Sequence, residues 1–469
     1  MKIAILGLDS VPPDLLFHKL IDKLPTIKSM LSKGIYGNLR TCDPPITVPA
    51  WMVMFTGKNP GKLGIYGFRH RKTGSYSDGY IVNSTHVREP TVWERLGEKG
   101  LRSVIIGMPP SYPPVKMKNG IMVSCFLTPS QEKQFTFPPE IKEEILVLNG
   151  GRYEFDVTFR TEERGTLRKD LFEMTERRFD VAEHLARTQN WDFFALHEIG
   201  FDRLHHAFWK FFDPAHPKYV KGNEYESVFA EYYSMADRRI GRLLDVLGED
   251  CLTFVLSDHG SKGMHGAFCV NEWLAREGYL VYKDPPRTIM DLEKAEVDWS
   301  RTKAWGWGGY YARIFFNVKG REPHGLVEPS DLPQEKRRLS ERINRIADDK
   351  HYKMNNVVFE PLKLYGEAIG DSPDLMVYFD DLNWRSAGTV GHGSLYLPEN
   401  DTGPDDSVHS MEGVFLMNNP KRNLGGKLIK GAQIADIAPT LLRLYGIDIS
   451  TSGAFDGRVL PEVVEGANP

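Results

Sequence analysis

Short apolar runs of strand length recur along this chain with amphipathic helical segments between them, and that alternation restricts the fold more than any other feature. Residues 2–8 (KIAILGL) are the first such run. Those at 101–107 (LRSVIIG), 191–199 (WDFFALHEI) and 251–257 (CLTFVLS) carry the β-branched and aromatic side chains that suit a strand buried on both faces. Helical segments follow or precede them: one from near Pro12 to about Gly34, one over 90–100 (PTVWERLGEKG) ended by Gly100, a long amphipathic one over 224–247, and 435–445 (ADIAPTLLRLY) stopped by Gly446. Strand, helix and strand in succession require crossover connections, so an α/β fold is expected, with a mostly parallel central sheet and helices on both faces.

Two stretches depart from this rhythm. Residues 109–178 mix prolines, charges and short apolar pieces, and 262–365 do the same around the aromatic, glycine-rich WGWGGYY at 305–311. Both read as insertions over the carboxyl edge of the sheet within one domain spanning 1–469. The net charge of -4, with both signs interspersed, provides no general basic field for a nucleic-acid polymer or an anionic membrane. The opening MKIAILGLDS is too short in its apolar run for a signal peptide, and no run approaches the ~20 apolar residues that span a bilayer. Cys42, Cys125, Cys251 and Cys269 form no C-x-x-C pair, which suits a reducing compartment and argues against a thiolate metal site. A cytoplasmic location is the expectation.

The polar residues that matter stand at strand exits. Asp9, Asp202 and the Asp258–His259 pair each follow a strand, and in an open parallel sheet the carboxyl ends of strands converge on one ligand crevice. Within FDRLHHA (201–207) a helix sets Asp202 and His206 one turn apart on the same face, where one cation can take both. Each aspartate alone serves equally as a cap. Together they repel one another unless a cation neutralises them. In PPITVPAW (44–51), Pro49 suits the first turn of a helix and puts Thr47 at or beside the N-cap. Thr47 there either caps the helix or lies where free N–H groups and the helix dipole favour a phosphoryl group. A threonine hydroxyl is a poor nucleophile at neutral pH, and a divalent metal is one remedy.

Asp9, the TVPAW segment with Thr47, FDRLHHA through His206, SDHG at Asp258–His259 and a late His409 in VHSMEGVF together resemble the alkaline phosphatase superfamily. Their order and spacing are most similar to its type I phosphodiesterase/nucleotide pyrophosphatase branch, particularly the phosphohydrolase/phosphomutase group. VNEWL (270–274), KGREP (319–323), DSPDL (371–375), DIAPT (436–440) and Asp456–Gly457 extend the resemblance over nearly the whole chain. It implies an α/β/α sandwich with a cap over the active site, a small-molecule phosphate ester as substrate, and a phosphothreonine intermediate on Thr47. It also implies one divalent metal on Asp9, Thr47, Asp258 and His259 and a second on Asp202, His206 and His409. Nitrogen and carboxylate donors suit zinc, with manganese acceptable at the oxygen-rich first site.

Some assignments have rivals. His392 in GHG competes with His409, which fits the family pattern better; His205 replaces His206 if the local backbone is not helical; His197 and His265 read as packing or supporting residues. The branch typically carries His-Gly-Ile-x-Gly-Asn after the nucleophile, with the asparagine holding a phosphoryl oxygen, whereas this chain has LGIYGF at 63–68 and Phe68 cannot donate. Phe68, Arg69 and Arg71 are candidate substrate contacts, with a solvated loop as the alternative. Arg313, Lys319 and Arg321 are further cations that nothing in the sequence brings to the crevice. A phosphomutase or phosphotransferase, or a phosphonate or sulfate ester hydrolase, would use the same metals. A non-catalytic metal-binding scaffold is disfavoured, because every ligand and the nucleophile are present.

Overall fold

The computed structural model describes residues 1–450 and 453–467. Its central sheet is built on β1 (Lys2–Leu8), β2 (Ile35–Arg40), β3 (Ser103–Ile106), β4 (Gly120–Val123), β5 (Phe193–Glu198), β6 (Cys251–Leu256) and β7 (Glu412–Asn418). Their spatial order is β2-β7-β6-β1-β5-β3-β4, with short strands added at both edges. β1 pairs in parallel with β5 and β6, and β3 with β4 and β5. β7 runs antiparallel between β2 and β6, as the short edge strand Thr136–Phe137 does against β4, in an otherwise parallel sheet.

In chain order the main helices are α1 (Pro25–Lys33), α2 (Thr47–Thr56), α3 (Val92–Glu98), α4 (Arg164–Thr188), α5 (Gly200–Phe212), α6 (Val228–Leu247) and α7 (Ile437–Leu444). The period-2 alternation of β1 divides them. Ala4, Leu6 and Leu8 pack into the layer of α1, α4, α5 and α6, whereas Ile3 and Ile5 pack into that of α2, α3 and α7. Both faces of the sheet are therefore covered, as its near-continuous apolar strands require.

The expected helix from Pro12 to Gly34 is instead three pieces: a π turn at Leu15–Lys19, a 3₁₀ turn at Ile21–Lys23, and α1, which begins at Pro25. Pro25 has no N–H to continue a helix through it, but it is well accommodated in a first turn. α3 starts at a capping box in which Thr91 and Glu94 satisfy each other's backbone N–H groups. Residues 109–178 supply β4, the edge strand Thr136–Phe137 and the first part of α4, so most of this stretch extends the sheet and its helical layer. Residues 262–365 supply Ala304–Trp307, Ala312–Phe316 and Val357–Phe359 to a second, antiparallel sheet completed by Leu375–Tyr378 from beyond the stretch, with an apolar core of its own. Among the described residues no helix is long and apolar enough to cross a membrane.

Candidate active site

Strand register brings the acidic exits together. Gly7 pairs with Leu256, so two residues on, Asp9 and Asp258 leave adjacent strands side by side. On the other flank Gly7 pairs with His197, whose Nε2 is 2.7 Å from Asp9 Oδ2. Helix α5 begins two residues beyond β5 and carries Asp202 in its first turn, with His206 one turn later. His409 comes from a short strand, Ser407–Ser410, paired antiparallel with Gly260–Gly263 so that it lies against His259, ring centroids 3.9 Å apart. Thr47 is the first residue of α2; Ile46, not Thr47, is the N-cap, and no side chain caps the helix. The Thr47 hydroxyl is thereby free to face the crevice, 3.5 Å from Asp9 Oδ1 and 3.4 Å from His259 Nε2.

The polar groups behind these side chains set their orientation. Asp9 Oδ2 accepts from Trp51 Nε1 at 2.9 Å as well as from His197, leaving Oδ1 toward Thr47. The indole reaches so far because strand β1 has glycine at position 7, where an added Cβ would stand 2.5 Å from the Trp51 ring. His259 donates Nδ1–H to Gly260 O at 3.0 Å, and His409 donates Nδ1–H to Pro45 O at 2.6 Å. His206 turns Nδ1 to Asp405 Oδ1 at 2.7 Å. Each imidazole thus presents Nε2 to the crevice. Ser10, in the left-handed region at φ 69, donates its backbone N–H to Asp258 Oδ1.

This arrangement is unfavourable for the side chains alone. His206 Nε2 and His409 Nε2 are 3.2 Å apart. Asp202 Oδ1 and Asp258 Oδ2 are buried without a well-aligned hydrogen bond, their nearest polar neighbours being His206 Nε2 and His259 Nε2, each at 3.2 Å. Burial and the neighbouring Asp9 carboxylate push the Asp258 carboxyl well above the ordinary range. Burial, then His259 and His206, hold the His409 imidazole well below its usual value. For His206 burial acts against the charge, but Asp405, Tyr310 and Asp202 outweigh it and raise the imidazole well above its usual value. Three carboxylates crowded with three imidazoles are the donor types that can hold a cation, whose binding would displace the His206 proton. The ligand atoms of Asp202, His206 and His409 lie within 4.8 Å of one another, as do those of Asp9, Asp202 and His259. Asp258 flanks the second group, its Oδ2 3.2 Å from His259 Nε2.

The rival histidines lie elsewhere. His205 is turned to Tyr233 and Ser261. His392 bonds Thr389, and His265 is exposed. His197 supports Asp9.

The family described as type I phosphodiesterase/nucleotide pyrophosphatase matches residues 3–405. The chain belongs to that family. Membership makes this type I phosphodiesterase homologue a metal-dependent phosphoester hydrolase of the phosphodiesterase/pyrophosphatase type. Human ectonucleotide pyrophosphatase/phosphodiesterase 5 has a similar structure, with a TM-score of 0.58 and 13% identity over 100% of both chains. Phosphonoacetate hydrolase from Sinorhizobium meliloti, solved with phosphonoformate, gives a TM-score of 0.60 and 15% identity over 93% of this chain and 94% of that one. An inactive variant of the murine pyrophosphatase/phosphodiesterase 5, solved in complex with AMP, gives 0.58 and 13% over 99% of both. At such identities the likeness is one of fold. No curated protein matches the chain.

A cavity of about 350 Å³ opens beside this cluster, with Ile46 and Tyr310 at the border between them. Tyr310 stacks on His409 at 3.9 Å, and its hydroxyl is 3.1 Å from His206 Nε2. Phe68 and Arg69 line this cavity as well. Arg71 does not: it forms a buried two-pronged pair with Glu322 at 3.0 and 3.1 Å, which corrects the expectation that it contacts substrate. Arg321 is similarly engaged by Asp374 and Glu322, and Lys319 by Glu328. In the aromatic patch Trp305 and Trp307 both belong to the core of the second sheet, and Trp307, Tyr310 and Tyr311 also form part of the cavity wall. Trp51 and Asp405 were not singled out from sequence, and Tyr310 only as part of the aromatic run at 305–311. Of the first two, Trp51 had a signal, one helical turn after Thr47.

Proposed function

We propose that this chain hydrolyses small-molecule phosphate esters through a phosphothreonine on Thr47, at a centre for two divalent cations. Asp9, Thr47, Asp258 and His259 would hold one ion, and Asp202, His206 and His409 the other. The observation that carries this reading is the pair of buried carboxylate oxygens, Asp202 Oδ1 and Asp258 Oδ2, that lack a well-aligned hydrogen bond beside three imidazoles whose Nδ1 atoms are already engaged. The absence of a thiolate from the set favours zinc, with manganese also compatible at the oxygen-rich first site. Bound there, the cations would supply Lewis acidity that activates the Thr47 hydroxyl and then a water, and offsets charge on the departing oxygen.

The chain's own groups do the rest. Thr47 Oγ1 attacks phosphorus in line, its bond to phosphorus forming as the bond from phosphorus to the leaving alcohol breaks. Pro49 has no N–H and Ala50 N–H already donates to Ile46 O at 2.9 Å, so the first-turn donors of α2 left for the equatorial oxygens are those of Thr47 and Val48. Water then attacks the phosphothreonine and restores Thr47. Trp51 and His197 keep Asp9 from turning away during both steps.

Thr47→Ala is expected to abolish turnover of an aryl phosphodiester while bound metal persists, and retained turnover refutes the assignment. A phosphotransferase reaction uses the same centre; product analysis with an added acceptor alcohol separates it from hydrolysis.

A further inference from the structure

The cavity beside Thr47 is lined by four arginines whose partners differ. Asp405 accepts from Arg385 at 2.7 Å and from Arg160 at 3.3 Å. Glu293 lies 4.0 Å from Arg69. Arg313 has only carbonyl partners among the described residues: its Nη groups donate to Arg69 O and to Gly308 O, and its buried Nε–H has no acceptor. Trp307 Nε1, on the same wall, is likewise buried without an acceptor. The Arg313 guanidinium is 5.5 Å from the Trp307 ring and 5.8 Å from that of Tyr311, so aromatic faces hold it in place without neutralising it. A half-buried cation with no carboxylate partner, beside an indole N–H that has no acceptor, on the wall of one cavity is complementary to an anion.

In-line attack by Thr47 expels the leaving group on the side away from its hydroxyl. On the crevice wall that carries His206 and His409, Tyr310 contacts both rings and continues into the cavity. We propose that Arg313 and Trp307 form an anion subsite for the leaving alcohol, so that the preferred esters carry a carboxylate or a second phosphate on that alcohol. This rests on the phosphoesterase reading given above. It goes further by assigning specificity to two residues outside the metal-binding set.

The test compares phosphodiesters of 4-carboxyphenol, of its uncharged methyl ester and of a phosphate-bearing phenol, read as ratios of kcat/KM. The wild-type metal-loaded protein is expected to prefer the anionic leaving groups by ~10–100-fold, the range of one or two charge-assisted hydrogen bonds. Arg313→Gln is expected to bring that ratio close to unity, Arg313→Lys to keep part of it, and Trp307→Phe to lower it several-fold. The carboxylate and phosphate arms show which anion is favoured. A wild-type ratio near unity overturns the proposal, as does a ratio that Arg313→Gln leaves unchanged. Calorimetric titration of Thr47→Ala protein with benzoate and phenylphosphonate reads the subsite independently of turnover. Binding should weaken at least tenfold when Arg313→Gln is added, and equal binding by folded proteins overturns the proposal. If no ester is cleaved yet benzoate binding depends on Arg313, the catalytic reading fails and the subsite stands.

Discussion

Asp405 is buried behind His206 and joins the candidate metal centre to the cavity. It takes His206 Nδ1 at 2.7 Å on one oxygen and Arg385 at 2.7 Å and Arg160 at 3.3 Å on the other. Burial works against its charge, but His206, Arg385 and Arg160 outweigh this and hold the carboxyl down at about 2 from 3.8. That depression corresponds to ~2 kcal/mol of stability. Because the folded-state value is the lower one, this stability is fully present above pH 3.8 and is lost as pH falls through about 2. Asp405→Asn keeps an acceptor for His206 but removes the charge and leaves two arginines uncompensated, for which breaking a buried pair costs about 3–5 kcal/mol. The expected loss at pH 7 is therefore ~2–5 kcal/mol, measured by urea denaturation of the metal-free protein. Separately, removing the carboxylate that orients a ligating histidine should weaken binding of one of the two metal equivalents by about 10–100-fold in a chelator competition. Arg385→Met is the control, since it removes an ion pair but leaves the His206–Asp405 bond in place, and it should spare metal affinity. Metal affinity within twofold of wild type in Asp405→Asn, or an equal loss in Arg385→Met, refutes the reasoning that His206 is a ligand positioned by Asp405.

Gly7→Ala would bring a methyl group 2.5 Å from the Trp51 ring and 3.1 Å from Leu196 O, forcing the indole off Asp9. A stability loss of about 1–3 kcal/mol together with weaker metal binding is expected, and wild-type values in both would show that Trp51 does not hold Asp9. Burial, with Arg313 nearby, lowers the His70 imidazole from 6.5 to about 4, and its Nε2 accepts from Tyr66 N. The folded protein thus binds fewer protons than the unfolded chain between those values, so stability should fall as pH drops from about 6.5 to about 4, by ~3 kcal/mol in total. In His70→Gln the urea midpoint of the metal-free protein should be less sensitive to that pH range, and an unaltered pH dependence contradicts the assignment.

Much of the centre was legible because strand exits, a helical i, i+4 pair and a proline-started helix are local patterns with a mechanism. Asp9, Thr47, Asp202, His206 and Asp258–His259 all lie on such patterns, and the helical backbone at 200–212 turns His206 to the crevice and His205 to Tyr233. His409 needed the resemblance, because its position depends on a pairing between residues far apart in the chain, Ser261 with His409. Asp405 left no local trace for the same reason, and Tyr310 stood out only as part of the aromatic run at 305–311. Arg71 shows the converse error: a cation next to a suggestive loop looked available, but its partner Glu322 lies 251 residues away. Within WGWGGYY, Trp305 and Trp307 share one face of their strand and both enter the core of the second sheet, while Trp307 also reaches the cavity wall, and a run of aromatic residues does not reveal where that core ends and the cavity begins. The antiparallel β7 and the break before Pro25 were likewise set by tertiary pairing and by a missing N–H rather than by hydropathy.

The most direct measurement is anomalous diffraction at the zinc edge from crystals of metal-loaded protein. Two peaks are expected, one bounded by Asp9, Thr47, Asp258 and His259 and the other by Asp202, His206 and His409, with Thr47 Oγ1 on the first ion. A folded, active protein with no peak in this crevice, or with Thr47 turned away from both ions, would contradict the account.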